Sequence, residues 1–211
     1  MKILITFASL WLSVSALAAE TNSTPEQTEA KYTAAIEART AAILKVLSLD
    51  DTNKAAQVYG IIVAQYRALN AWHGENDAKL KAAKSDTNAV AQIRVSLKSL
   101  HEKFLAALAE SLSPAQIEAV KDKLTYGKVQ FTYGGYVSQY PDLSDAHKAE
   151  ILRLLKEARE IAMDGGSAEE KTAVFTKYKG RINNYLSKQG VQSEKAKLKA
   201  TATAQTNAVA K

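Results

Sequence analysis

Leu143–Gly190 reads LSDAHKAEILRLLKEAREIAMDGGSAEEKTAVFTKYKGRINNYLSKQG, and two helices follow from it directly. Ser144 follows Leu143, a pair that suits a capping serine with a hydrophobic staple in front of it. Ile151, Leu154, Leu155, Ala158 and Ala162 then recur at helical spacing. Gly165-Gly166 ends that run. Ser167-Ala168-Glu169-Glu170 starts the next, because a serine can accept from the N–H three residues on while the glutamate reaches back. Val174, Tyr178, Ile182 and Tyr185 form its stripe, and Gly190 closes it.

The same chemistry recurs upstream. Thr24-Pro25-Glu26-Gln27, Ser48-Leu49-Asp50-Asp51 and Ser113-Pro114-Ala115-Gln116 each place a capping hydroxyl three residues before an amide or acid. Asp51 is the short member of the set. Pro25 and Pro114 stand where a missing N–H costs nothing. Apolar stripes follow at Ile36, Ile43, Leu44 and Leu47, then at Val58, Ile62, Leu69 and Trp72. A third runs from Val90 through Leu100 and Phe104 to Leu108, and a fourth holds Ile117, Val120 and Leu124. Gly74, close to Trp72, marks a kink or an end of the second helix. The expected fold is all-α: a single-domain bundle of about six helices over residues 24–190. The exception is Tyr126–Tyr140, YGKVQFTYGGYVSQY, between the fourth and fifth helices. Val129, Phe131 and Tyr133 alternate as in a strand, while Val129, Tyr133, Tyr136 and Tyr140 also fit a helix. Its glycines weaken both patterns, so a partly extended connector is expected.

The ends of the chain carry a different signal. Met1-Lys2 opens an apolar run from Ile3 to Val14, followed by Ala16-Leu17-Ala18. That order is a secretory signal peptide, residues 1–18, with cleavage after Ala18 or Ala19. It predicts export to the periplasm or beyond. No cysteine follows the run, so lipid anchoring is not expected, and no later stretch is apolar for long enough to form a transmembrane segment. With no cysteine anywhere, disulfides, thiolate metal sites and cysteine nucleophiles are ruled out. The formal charge is +6, and much of the excess lies in Lys195, Lys197, Lys199 and Lys211. Residues 191–211 form an Ala/Thr/Lys-rich basic tail, expected to be disordered because it has too little apolar surface to bury. Export makes nucleic acid an unsuitable partner for this charge. Anionic envelope polymers or lipid surfaces suit it better.

Known catalytic patterns are missing. His73, His101 and His147 form no His-x-x-x-His pair and no Glu-x-x-His spacing. No nucleophile elbow, phosphate loop or haem-attachment motif occurs. Neither a metal site nor a cofactor is therefore expected, and His101 is expected on the flank of a helix stripe. Two stretches stand out as candidate ligand-binding segments. Tyr126, Tyr133, Tyr136 and Tyr140 offer flat rings with polar rims that suit sugars, although such rings can equally wedge between helices as core. Lys177, Lys179, Arg181, Asn183 and Asn184 offer cations for a carboxylate and amides for hydroxyls, although they can also form a solvated face. Lys177, Arg181 and Asn184 share one helical face by spacing. The turn Asp164-Gly165-Gly166-Ser167 exposes N–H groups at a helix start, which Ser167 and Glu170 are expected to satisfy.

KLTYGK at 123–128, the run from Tyr140 to Lys171 and FTKYKGRINNYLSKQG at 175–190 resemble a family of secreted bacterial proteins of unknown function. Members of that family are often met near polysaccharide-degradation genes, and a sugar-binding label has been attached to them. The resemblance is most specific over Glu157–Gly190 and looser over Lys31–Gly190. It implies export and a helical domain, and it supplies no catalytic or ligand residues. Leu112-Ser113-Pro114-Ala115-Gln116 also resembles the Leu-Thr-x-x-Gln motif of small periplasmic helical chaperones. That motif is, however, ordinary capping chemistry.

Three functions are compatible with these readings. The first is an exported, non-catalytic binding or accessory protein for a glycan, with a uronate-containing oligosaccharide as partner. The second is a periplasmic chaperone or envelope-stress protein whose partners are unfolded envelope proteins. The third is an enzyme on acidic sugars, which needs a tyrosine, a cation and a carboxylate converging in one pocket.

Overall fold

In the computed structural model, residues 24–194 and 197–198 are described. The expected signal peptide lies outside the described residues, as does most of the tail expected to be disordered. The fold is all-α, and the described residues form seven helices. They are α1 (Pro25–Leu47), α2 (Thr52–Ala82), α3 (Thr87–Ala109), α4 (Pro114–Leu124), α5 (Lys128–Gln139), α6 (Asp145–Met163) and α7 (Ala168–Lys188). The described residues divide into two units, one over residues 24–35 and the packed domain from Ile36 onward. In that first unit the described part is the start of α1, where Thr24 and Gln27 make the expected capping box at 3.1–3.2 Å.

Within the packed domain the caps explain where helices begin. Ser113 and Gln116 make the expected box at α4. Ser144 makes a box with His147, whose Nδ1 accepts from the Ser144 N–H. Ser167 accepts from the Glu170 N–H, while the Glu170 carboxylate turns to Gly166 N at 2.8 Å. The pair thus satisfies the turn as expected. Ser48 does not cap α2: it has φ 47°, and Asp51 caps instead, accepting from Asn53 and Lys54. The aspartate is one residue short of the first helical N–H groups, the right reach for its short side chain. Asp86 caps α3 in the same way. Gly74 does not end α2, since the helix runs on to Ala82.

Two apolar clusters hold the domain together. Ile43, Val58, Ile62, Phe104, Val120 and Leu124 belong to the first, which draws on α1 to α4 with Met163 at the end of α6. Tyr136, Ile151, Leu155, Ala158, Tyr178 and Ile182 belong to the second, which draws on α5 to α7. The Lys171 ammonium is buried beside the first cluster and donates to the carbonyls of Leu124 and Met163. A cation at two helix C-termini is favoured by their dipoles. Burial nonetheless pushes its pKa down to about 8.

The expected connector is a helix. Its strand-like alternation loses to the stripe Val129–Tyr133–Tyr136–Tyr140, which packs into the second cluster. The chain is turned into α5 by a Schellman end on α4. Gly127 N–H bonds Asp122 O and Tyr126 N–H bonds Lys123 O, with both residues left-handed (φ 64° and 60°). This helix is the seventh that the sequence pattern did not count. No described helix is long and apolar enough to cross a membrane.

Candidate functional site

Among the hollows that flank α7, two divide the polar residues singled out in the sequence. Helical geometry requires this, since residues two apart point about 200° apart. Lys179 and Asn183 face α5, whereas Lys177 and Arg181 face α2 and α3. Asn184 is exposed and lines neither, so the expected face of Lys177, Arg181 and Asn184 is not one site.

The groove between α5 and α7 is about 870 Å³. Tyr136 is only 6% exposed, and its hydroxyl donates to Asn183 Oδ1 at 2.8 Å and to the Lys179 carbonyl at 3.0 Å. Burial, with Tyr140 adjoining, pushes its pKa up to about 12, so it stays a donor. Asn183 is exposed, and its NH2 bonds nothing among the described residues. Gly134, Gly135 and Gly180 line the groove, and a Cβ at any of them would meet nothing within 4 Å. Phe131, on the same groove, is 85% exposed. Of the other tyrosines, Tyr133 and Tyr140 are half-buried against the core, and Tyr140 stacks on Tyr136 at 6.0 Å. Tyr126 is exposed in the α4–α5 turn. The tyrosine cluster is thus mostly core, and the ring that faces solvent on the groove is a phenylalanine.

The second hollow, about 560 Å³, has an apolar lining that includes Leu97, Ile161 and Val174. Arg94 and Lys177 line it and pair with no carboxylate among the described residues. Arg181 also lines it, but is paired with Glu157 at 2.9 Å and lies over the Tyr178 ring at 4.5 Å. Tyr178 donates to the same Glu157 oxygen at 2.6 Å. A tyrosine, an arginine and a carboxylate therefore meet, but they satisfy one another. Burial and the Glu157 bond hold the Tyr178 proton on, the opposite of what a tyrosine base needs.

Histidines organise the far wall. His73 Nε2 donates to the Asp164 carbonyl at 2.7 Å, and Nδ1 lies 2.8 Å from Asp77 Oδ1. Burial works against its charged form, but the Asp164 carbonyl, Asp77 and Glu170 outweigh this and raise its pKa. His101 Nδ1 lies 3.0 Å from both Asp164 carboxylate oxygens. That bond raises the His101 pKa against burial, with help from Glu160 and opposition from Lys121. His101 is accordingly a structural ion-pair partner on a helix flank. Beyond it, Arg159 is 2% exposed and spans Asp122 at 2.6 Å and Glu118 at 2.7 Å.

The sequence reading passed over Arg94 and the His73–Asp77 pair. The last had a legible signal: a histidine and an aspartate four residues apart share a helix face. Glu170 is brought to them only by tertiary packing.

A search of the curated proteins found no match to this chain. A family model does match, over residues 33–205, which takes in both hollows and nearly all of the described helices. The chain belongs to the family described as a protein of unknown function, DUF3826.

Proposed function

We propose that the protein is exported and binds a glycan, without transforming it, in the groove between α5 and α7. The observation that carries this reading is that the two segments singled out in the sequence, Tyr126–Tyr140 and Lys177–Asn184, contribute to one groove with an exposed Phe131 ring at its side. An aromatic ring left in water on a helix whose two tyrosines pack toward the core is what the apolar C–H face of a pyranose needs. The hydroxyls of a sugar have partners in the Asn183 NH2 and in Thr132, Ser138 and Thr176. Lys179 adds a cation for a uronate carboxylate. The three glycines support the same reading. A glycine inside a helix costs roughly 1 kcal/mol against alanine, and packing here gives no reason to keep it. Bare backbone does let a flat ligand approach closely.

Calorimetric titration with neutral and uronic oligosaccharides tests this. Saturable binding is expected, weakened about tenfold by Phe131→Ala, a loss of roughly 1.4 kcal/mol. Lys179→Ala should erase any preference for uronate over neutral sugar. No binding at millimolar sugar, affinity unchanged in Phe131→Ala, or preference for unfolded polypeptide over sugar would overturn the reading.

A further inference from the structure

We propose that His73, Asp77 and Glu170 form a binding site for a divalent transition-metal ion, zinc or manganese, on the wall of the hollow between α2 and α7. The argument begins with the imidazole proton. The Asp164 carbonyl, 2.7 Å from His73 Nε2, can only accept, so Nε2 carries the hydrogen. In the neutral ring the lone pair is then on Nδ1. That atom faces two carboxylates, Asp77 Oδ1 at 2.8 Å and Glu170 Oε2 at 3.9 Å. The three donor atoms lie within 4.8 Å of one another. Ligands bonded at about 2.0–2.2 Å to one ion stand roughly 3–4 Å apart, so small rotations of the two half-exposed carboxylates close the set.

Contacts outside the set hold it ready. The His73 side chain is 13% exposed and lies against Gly166, where a Cβ would come within 2.8 Å of the ring. Trp72 meets the ring edge-on, with centroids 5.0 Å apart. The Gly166 N–H, at 2.8 Å, orients the Glu170 carboxylate. A backbone carbonyl that fixes the tautomer of the histidine, and a donor that orients the carboxylate, are the supports that ligating residues use. Two carboxylates and a neutral imidazole carry the charge that a dication neutralises. The imidazole favours zinc over calcium or magnesium, which take oxygen donors, and the two carboxylates also admit manganese. All three residues line the hollow, so the positions they leave open face it. The site is independent of the groove between α5 and α7, and either can fail without the other.

The test is calorimetry of chelator-treated protein with zinc, manganese or calcium chloride, with thermal unfolding alongside. One zinc or manganese ion should bind per chain and raise the melting temperature. Asp77→Asn and Glu170→Gln should each weaken binding by about tenfold or more. Asp77 is half-exposed and caps nothing, so Asp77→Asn keeps the test sound even if Glu170→Gln loosens the start of α7. Absence of saturable binding at millimolar ion, affinity unchanged in Asp77→Asn, or calcium bound as tightly as zinc would overturn the proposal.

Discussion

Tyr136 donates its hydroxyl proton to Asn183 Oδ1 at 2.8 Å, joining α5 to α7 through the wall of the groove they form. Tyr136→Phe keeps the buried ring and loses the bond. Stability should fall by about 1 kcal/mol, the net worth of a hydrogen bond. Chemical denaturation would show it as a lower midpoint with an unchanged slope.

The groove glycines should set stability against binding. Gly134→Ala and Gly135→Ala each add a methyl that meets nothing. Each should stabilise α5 by about 0.5–1 kcal/mol by removing backbone freedom from the unfolded chain. The same variants should bind oligosaccharide more weakly, because the methyl stands where the ligand approaches. Paired melting and titration curves would check both signs.

Arg159 presents the opposite case. Its side chain is buried and serves Glu118, Asp122 and Glu160. Arg159→Met should cost about 3 kcal/mol, since it strands carboxylates around a hole their cation filled. The carboxylates are partly exposed, which keeps the cost at the low end of the range for broken buried pairs. Lysine should rescue little, because it cannot span two carboxylates with a planar fork. Denaturation of the two variants side by side would measure the difference.

His101 should make stability depend on pH. Asp164 and Glu160 raise its pKa in the folded state above 6.5, and Lys121 opposes them. The folded chain therefore holds that proton more tightly than the unfolded chain. The stabilisation is complete below the unfolded pKa and is lost as pH rises through the folded one. The melting-temperature gap between wild type and His101→Gln should be widest near about pH 5 and shrink toward alkaline pH. A gap that widens with pH would contradict this assignment.

Gly166 is required by its neighbour. A methyl there would press on the His73 ring at 2.8 Å. The imidazole is a stiff obstacle rather than a flexible chain end. Gly166→Ala should cost about 1–3 kcal/mol and break the bond from His73 to the Asp164 carbonyl. Loss of that bond would appear in the nitrogen chemical shifts of His73.

Helices were legible wherever the cause is local. Ser113, Ser144 and Ser167 cap within four residues of sequence, and Ile151, Leu154, Leu155, Ala158 and Ala162 are all buried at the period that predicted them. Local reading failed where two local patterns competed. At Tyr126–Tyr140 the strand alternation and the helix stripe share residues, and burial of Tyr136 against α6 and α7 decided between them. At Ser48 the capping pattern was present, but Asp51 stood closer to the N–H groups that needed an acceptor.

The sequence by itself determined that six segments fold as helices and which face of each of those six is apolar. It determined that no thiol chemistry is available, and it picked out the two segments that supply the groove. Tertiary structure alone decided which side chains meet. Lys177 and Lys179 are two residues apart, yet the helix sends them into different hollows. His73 and Glu170 are far apart in the chain, yet their donor atoms come within 3.9 Å. Capping and periodicity act over one or two turns and are written locally. A site gathers side chains from separate helices, and their proximity exists only once the cores between those helices have packed.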